Sequence, residues 1–170
     1  MVKIMTVHEV NKEAIYAYLE EIKDPEVPAL SIIDLGIVRD VKMNNDEIEV
    51  VITPTYTGCP AMDMIAATIK IQLATLGFTK IKVTQVLSPA WTTDWMSEEG
   101  KRKLKEYGIA PPNPKQQVCD QQLFAEAEAV QCPHCDSYHT HRISEFGSTA
   151  CKALYQCDDC KEPFDYFKCH

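Results

Sequence analysis

No apolar run in the sequence approaches the roughly 18 residues that a membrane-spanning helix requires. Met1–Val10 carries His8 and Glu9 where the apolar centre of a signal peptide would stand, so a cytoplasmic location is expected. Positive charge is the scarcer sign. Lys and Arg total 17 against 25 Asp and Glu, a formal net charge of −8. An acidic surface repels phosphate backbones and anionic lipid, which excludes nucleic acid and membrane surfaces from the expected partners. There is no glycine-rich dinucleotide loop, no solenoid-type repeat, and no histidine between His8 and His134. Cysteine, by contrast, is plentiful, with 8 in 170 residues. In a reducing compartment such cysteines read as metal ligands or reactive thiols rather than disulfides.

Four of them form the strongest motif. Cys132-Pro133-His134-Cys135 and Cys157-Asp158-Asp159-Cys160 are two C-x-x-C knuckles separated by residues 136–156. The interval slightly exceeds the usual window of roughly 15–20 residues, and a longer hairpin absorbs the difference. Each tight turn aims two sulfurs at one point, and two turns complete a tetrahedron around zinc with no open coordination position. The expected site is therefore structural, and it supplies folding energy that a module of this size cannot obtain from its core alone. A disulfide pairing, or iron in the same ligands, are the alternatives. His139-x-His141 places two imidazoles on one face of a strand, which suits either a metal or a plain polar surface. Cys151 is a second candidate ligand or a small buried residue. Cys169-His170 closes the sequence.

The rest of the chain reads as a small α-β-β-α-β domain of the α+β class. Thr6-Val7-His8-Glu9 has capping-box chemistry, and Ile15, Tyr18, Leu19 and Ile22 make one apolar helical face. Lys23–Pro28 stops that helix. Gly36–Met43 and Glu47–Ile52 alternate around Asn44-Asn45-Asp46, which predicts a β-hairpin, with Arg39 out of pattern. Pro60 opens a second helix whose stripe is Met62, Ile65, Ile69, Leu73 and Leu76, with Gly77 as its stop. A third strand covers Lys80 to Leu87. After the aromatic loop Ser88–Met96, Ser97 caps a short helix reaching Tyr107. Trp91 and Trp95 either cover the core or anchor a partner. Pro111, Pro112 and Pro114 mark an extended spacer. The expected division is a domain over 1–109, a linker over 110–130, in which Gln116–Ala129 is helix or tether, and a zinc-ribbon-like module over 131–170.

Cys59 is the other position with chemistry. It lies beside Pro60 at a helix start, where unpaired amides and the helix dipole favour a thiolate. Thr53, Thr55, Tyr56 and Thr57 bring hydroxyls able to bond the sulfur or a ligand. A small residue that fits a tight strand-to-helix turn is the structural alternative. Asp24, Glu26 and Asp34 form an acidic loop that either orients a ligand or is simply solvated.

Three separated segments, Asp24-Pro25-Glu26-Val27-Pro28, Ser31-Ile32-Ile33-Asp34-Leu35-Gly36-Ile37-Val38 and Thr55-Tyr56-Thr57-Gly58-Cys59-Pro60, resemble in order the motifs of the small iron–sulfur maturation domain family, over about residues 10–107. Ser88–Met96, Phe146–Lys152 and the ribbon resemble, more narrowly, an accessory family of bacterial phenylacetate degradation. The resemblance implies a reactive cysteine at Cys59; Asp24, Asp34, Thr57 and Cys151, read from the residues themselves, are the accessory candidates. It implies a maturation factor for the multicomponent monooxygenase that epoxidises phenylacetyl-CoA. The implied partners are the oxygenase and reductase subunits, iron–sulfur assembly proteins and a second copy of the chain. The implied cofactors are structural zinc and a transient iron–sulfur cluster. The absence of paired Glu-x-x-His helices fits an accessory component rather than the oxygenase itself. A thiol enzyme with Cys59 as nucleophile, or a pure interaction scaffold, are the competing readings.

Overall fold

A computed structural model of the chain describes residues 11–44, 46–112 and 130–168. The expected capping box at Thr6–Glu9 and the segment Gln116–Ala129, together with Cys119, Cys169 and His170, lie outside the described residues. The chain divides into two compact units, Met1–Trp91 and Thr92–His170.

The first unit begins with helix α1 (Lys12–Glu20), where the Asn11 side chain accepts the Ala14 amide at 2.8 Å. A short polar side chain at the N-cap satisfies a donor that the helix leaves open. Ile15 and Leu19 of α1 are fully buried. After the loop to Ile37, strands β1 (Val38–Asn44) and β2 (Glu47–Ile52) pair antiparallel. Val38 faces Ile52 and Asp40 faces Val51, so the register shifts at Arg39. That bulge explains the break in alternation: one extra residue lets Val38 and Val41, three apart, both be buried while Arg39 is exposed.

Helix α2 (Ala61–Thr75) then crosses to strand β3 (Lys80–Gln85), which pairs parallel to β2, giving the order β1-β2-β3. A parallel pair needs such a crossover because no tight turn can make it. The predicted stripe is the buried face of α2: Met62, Ile65, Ile69, Leu73 and Leu76 are all buried. Gly77, at φ 93, takes the left-handed conformation that ends the helix. Trp91 is buried, and its indole Nε1 donates to the Leu35 carbonyl at 2.8 Å. Of the two roles open to this tryptophan, covering the core is the one observed.

The second unit holds a short 3-10 turn (Thr93–Trp95), helix α3 (Glu98–Glu106) and a four-stranded sheet. Ser97 caps α3 by accepting the Gly100 amide at 2.9 Å. Glu98 and Glu99 in its first turn and Lys103 and Lys105 in its last complement the helix dipole. The two-residue strand β4 (Ile109–Ala110) follows α3. Strands β5 (Thr140–Ser144), β6 (Lys152–Cys157) and β7 (Pro163–Phe167) form an antiparallel meander. Strand β4 adds parallel to β7, so the order is β4-β7-β6-β5. Ala110 enters a core with Val130, Cys132, Ala153, Tyr155, Cys157, Phe164 and Tyr166. Tyr155 stacks on Phe164 at 5.9 Å and meets Tyr166 edge-on at 5.6 Å.

The division therefore falls earlier than the expected boundary after residue 109. Residues 92–110 group with the ribbon, because Ile109 and Ala110 pair with a strand far away in sequence and Ala110 is buried in the ribbon's core. Placing a carboxylate there tests the division. Ala110→Asp should cost the second unit about 3 kcal/mol or more, as expected for an unpaired charge in a core. Hydrogen exchange should show protection lost across β6 and β7 but retained in β2 and α2. The reverse pattern would assign β4 to the first unit.

Candidate functional site

Among the described residues, one group of three or more metal-ligating side chains converges: Cys132, Cys135, Cys157 and Cys160, whose ligand atoms all lie within 4.8 Å of one another. The two knuckles repeat one backbone pattern. The Cys132 amide donates to the Ser137 carbonyl at 2.8 Å, and the Cys157 amide to the Glu162 carbonyl at 3.0 Å. The Asp136 amide returns to the Cys132 carbonyl at 3.0 Å, and the Lys161 amide to the Cys157 carbonyl at 3.1 Å. Asp136 and Lys161 both adopt positive φ, 61 and 66. A left-handed residue after each second cysteine is what turns the chain away while both sulfurs point inward.

The sulfur geometry fits a metal. Cys132 and Cys160 sulfurs are 3.7 Å apart, and those of Cys135 and Cys157 are 3.5 Å apart. Four thiolates about 2.3 Å from a tetrahedral zinc would be separated by about 3.8 Å. A disulfide would need about 2.05 Å, and all four cysteines are free. The titration behaviour points the same way. Amides of Cys160 and Asp159 donate to the Cys157 sulfur and bring its pKa down to about 7. The Ser137 amide also favours the Cys135 thiolate, yet desolvation and the other three sulfurs push Cys135 up to about 12. Four crowded thiols resist shared ionisation unless a cation sits among them.

The neighbouring histidines stay out of this group. His139 Nδ1 lies 3.3 Å from Asp159 Oδ1, and His141 Nδ1 lies 3.1 Å from Asp158 Oδ1. Ser137 also donates to Asp159. These contacts brace the second knuckle from outside. Cys151 is buried, with its sulfur 3.0 Å from Thr149 Oγ1, and it is not a member of the converging group.

Cys59 is not a member of that group; it belongs to the first unit and stands just before α2. It is half-buried: Pro60 takes the N-cap position, the Cys59 amide donates to the Tyr56 carbonyl at 3.3 Å, and the Cys59 carbonyl accepts from Met62 at 3.3 Å. The helix start acts on the sulfur as expected, since the Ala61 amide and the Tyr56 side chain both favour the thiolate. The outcome is nevertheless opposite to the expected lowering. Desolvation is the largest influence, Glu26 and Asp24 add negative charge, and together they push the Cys59 thiol up. Sequence position revealed the helix end but not the carboxylates, which come from a loop about thirty residues away.

The acidic loop is built rather than solvated. Asp24 is buried, and its Oδ1 accepts the amides of Glu26 at 2.9 Å and Val27 at 2.8 Å. Asp34 is also buried; it accepts the Ser31 amide at 3.0 Å while Ser31 Oγ accepts the Asp34 amide at 2.9 Å. That reciprocal pair is capping-box chemistry used in a turn. Glu26 is half-buried, with the Tyr56 hydroxyl 3.5 Å from its Oε1. Thr57 is exposed, whereas Thr53 is buried and donates to the Val86 carbonyl at 2.9 Å. Of the hydroxyls offered by the sequence, Tyr56 is thus the one that acts on Cys59, and the acidic loop adds the charge of Glu26 and Asp24.

Comparison with known proteins follows the same division. Residues 12–86 match the family model of an iron–sulfur cluster assembly protein, and residues 116–168 match that of the PaaD zinc beta ribbon domain. The chain is 48% identical over 169 residues to a protein of Escherichia coli K12 named as a putative component of 1,2-phenylacetyl-CoA epoxidase, covering 99% of each. It is 32% identical over 95 residues to an Fe-S protein maturation auxiliary factor of Porphyromonas gingivalis W83, covering 55% of this chain and 90% of that one. Among solved structures, a DUF59 domain of unknown function from Bacillus anthracis aligns with TM-score 0.52 and 33% identity, over 55% of this chain and 90% of that one. An iron–sulfur-assembly domain followed by a zinc ribbon, matched end to end by a 48% identical relative, places the chain in the PaaD family.

Proposed function

We propose that the protein is a cytoplasmic accessory factor for a phenylacetyl-CoA-epoxidising monooxygenase and helps assemble its iron–sulfur or iron centre through Cys59. The observation that carries this reading is the end-to-end match to a relative named as part of such an epoxidase. The match of residues 12–86 to the iron–sulfur assembly family gives the role its chemistry, and Cys59 falls within it. The oxygenase and reductase subunits and the iron–sulfur assembly proteins are its partners. The cluster or iron is cargo. One thiolate leaves most of a cluster's ligand positions open, so the rest come from a second copy of the chain or from the client. A thiol that stays protonated at rest suits transient carriage, since it does not compete for metal until cargo arrives.

The ribbon holds zinc through Cys132, Cys135, Cys157 and Cys160. Four thiolate ligands close the coordination shell, so the ion folds the second unit and leaves substrate chemistry elsewhere. Protein purified without added metal should contain one zinc per chain by elemental analysis; folded protein with none would refute the assignment. Cys157→Ser should unfold the second unit and leave the first folded, as read by hydrogen exchange.

Cys59→Ser tests the transfer role. Serine is nearly isosteric and is itself favoured near helix starts, so stability should move by no more than about 0.5 kcal/mol. Cells carrying the variant should make normal amounts of oxygenase subunits with depleted iron and low epoxidation activity. A fully loaded, active oxygenase would make Cys59 a turn residue only.

A further inference from the structure

We infer that Tyr56 and Glu26 are positioning residues for Cys59, a hydroxyl and a carboxylate that together set when the thiol ionises and which charge of reagent it admits. This rests on the reading of Cys59 as the working thiol and adds the regulation of that site. Three side chains meet here from two loops. Asp24 Oδ1 accepts the amides of Glu26 and Val27 and so holds the loop that presents Glu26. The Tyr56 hydroxyl lies 3.5 Å from Glu26 Oε1, and Tyr56 also favours the Cys59 thiolate. The turn from Tyr56 to Cys59, closed by the 3.3 Å backbone bond, keeps the phenol and the thiol together.

A phenol has one proton to donate. While Cys59 is a neutral thiol, the better acceptor is the carboxylate, and Tyr56 points to Glu26. When the thiol gives its proton to solvent, the sulfur becomes a charged acceptor and draws the same hydroxyl. Tyr56 therefore stabilises the thiolate, and Glu26 opposes it through like charge. The charged groups facing the sulfur are Glu26 and Asp24 from the loop after α1; Asp63 on α2 itself is exposed. A site ringed by carboxylates repels anions and attracts cations. An approaching metal cation would neutralise that field and release the thiol proton, whereas an anionic reagent meets repulsion.

The two residues pull in opposite directions, which gives a test that a merely structural role would not reproduce. The full-length, zinc-loaded protein is alkylated briefly across a pH series with neutral iodoacetamide and with anionic iodoacetate, and Cys59 is followed by peptide mapping. Glu26→Gln removes charge but keeps an acceptor for Tyr56, so the midpoint of the Cys59 rate profile should shift to lower pH. The iodoacetamide rate at neutral pH should rise by about two- to fivefold, following the thiolate fraction. Tyr56→Phe should shift the midpoint to higher pH and slow the neutral rate by a similar factor. The wild-type preference for iodoacetamide over iodoacetate should narrow in Glu26→Gln. Shifts in the same direction, or an unchanged profile in either variant, would overturn the inference. These rates read the pair directly. If Cys59→Ser still yields a loaded client, the transfer role fails while the alkylation result stands.

Discussion

Four sulfurs brought within 4.8 Å of one another are unstable as neighbours unless something positive lies between them. The second unit depends on that constraint. Among the described residues, the apolar cluster under the ribbon includes Cys132 and Cys157, two of the four converging cysteines, so this cluster and the cysteine site are not separable. Strands β5 and β6 connect the knuckles, β7 follows the second one, and Tyr155 of β6 packs on Phe164 and Tyr166 of β7. A small module gains only marginal stability from its core, and an ion bound by four thiolates would add to it by fixing two loops at once. The repeated hydrogen-bond pattern of the two knuckles shows the same solution used twice, each with a non-glycine residue held at positive φ.

Local patterns were legible in the sequence; pairings between distant segments were not. The stripe of α2 and the Ser97 cap are written in adjacent residues, and the structure agrees with them. Arg39 broke the alternation visibly, but a bulge is recognised only when the partner strand shows that one residue is extra. Strand β4 had no signal at all: two residues carry no periodicity, and their partners are Asp165 and Tyr166 of β7. Prolines 111, 112 and 114 looked like the natural boundary, yet the chain had already joined the ribbon's sheet before reaching them.

The cysteine chemistry divides the same way. Spacing alone pointed to the four cysteines that converge, because C-x-x-C fixes geometry within each turn. At Cys59, position alone suggested a lowered pKa, since only the helix end could be seen. The Ala61 amide does act in that direction, but burial, Glu26 and Asp24 outweigh it. Two carboxylates of one short motif also proved to have different tasks. Asp24 is buried and spends an oxygen on two backbone amides, while Glu26 is presented toward Tyr56.

The chain thus sets two kinds of thiol site in one sequence, with opposite electrostatics. In the ribbon, amides converge on sulfurs that crowd one another, so shared ionisation there calls for a cation among them. At Cys59 a single half-buried sulfur faces carboxylates, which favours the neutral thiol until a cation changes the balance. The first arrangement offers a cation four thiolate ligands, whereas the second offers one. The proposed role would use both, and the two stand on separate units of the chain, so a thiol that carries cargo would not draw on the sulfurs that support a fold.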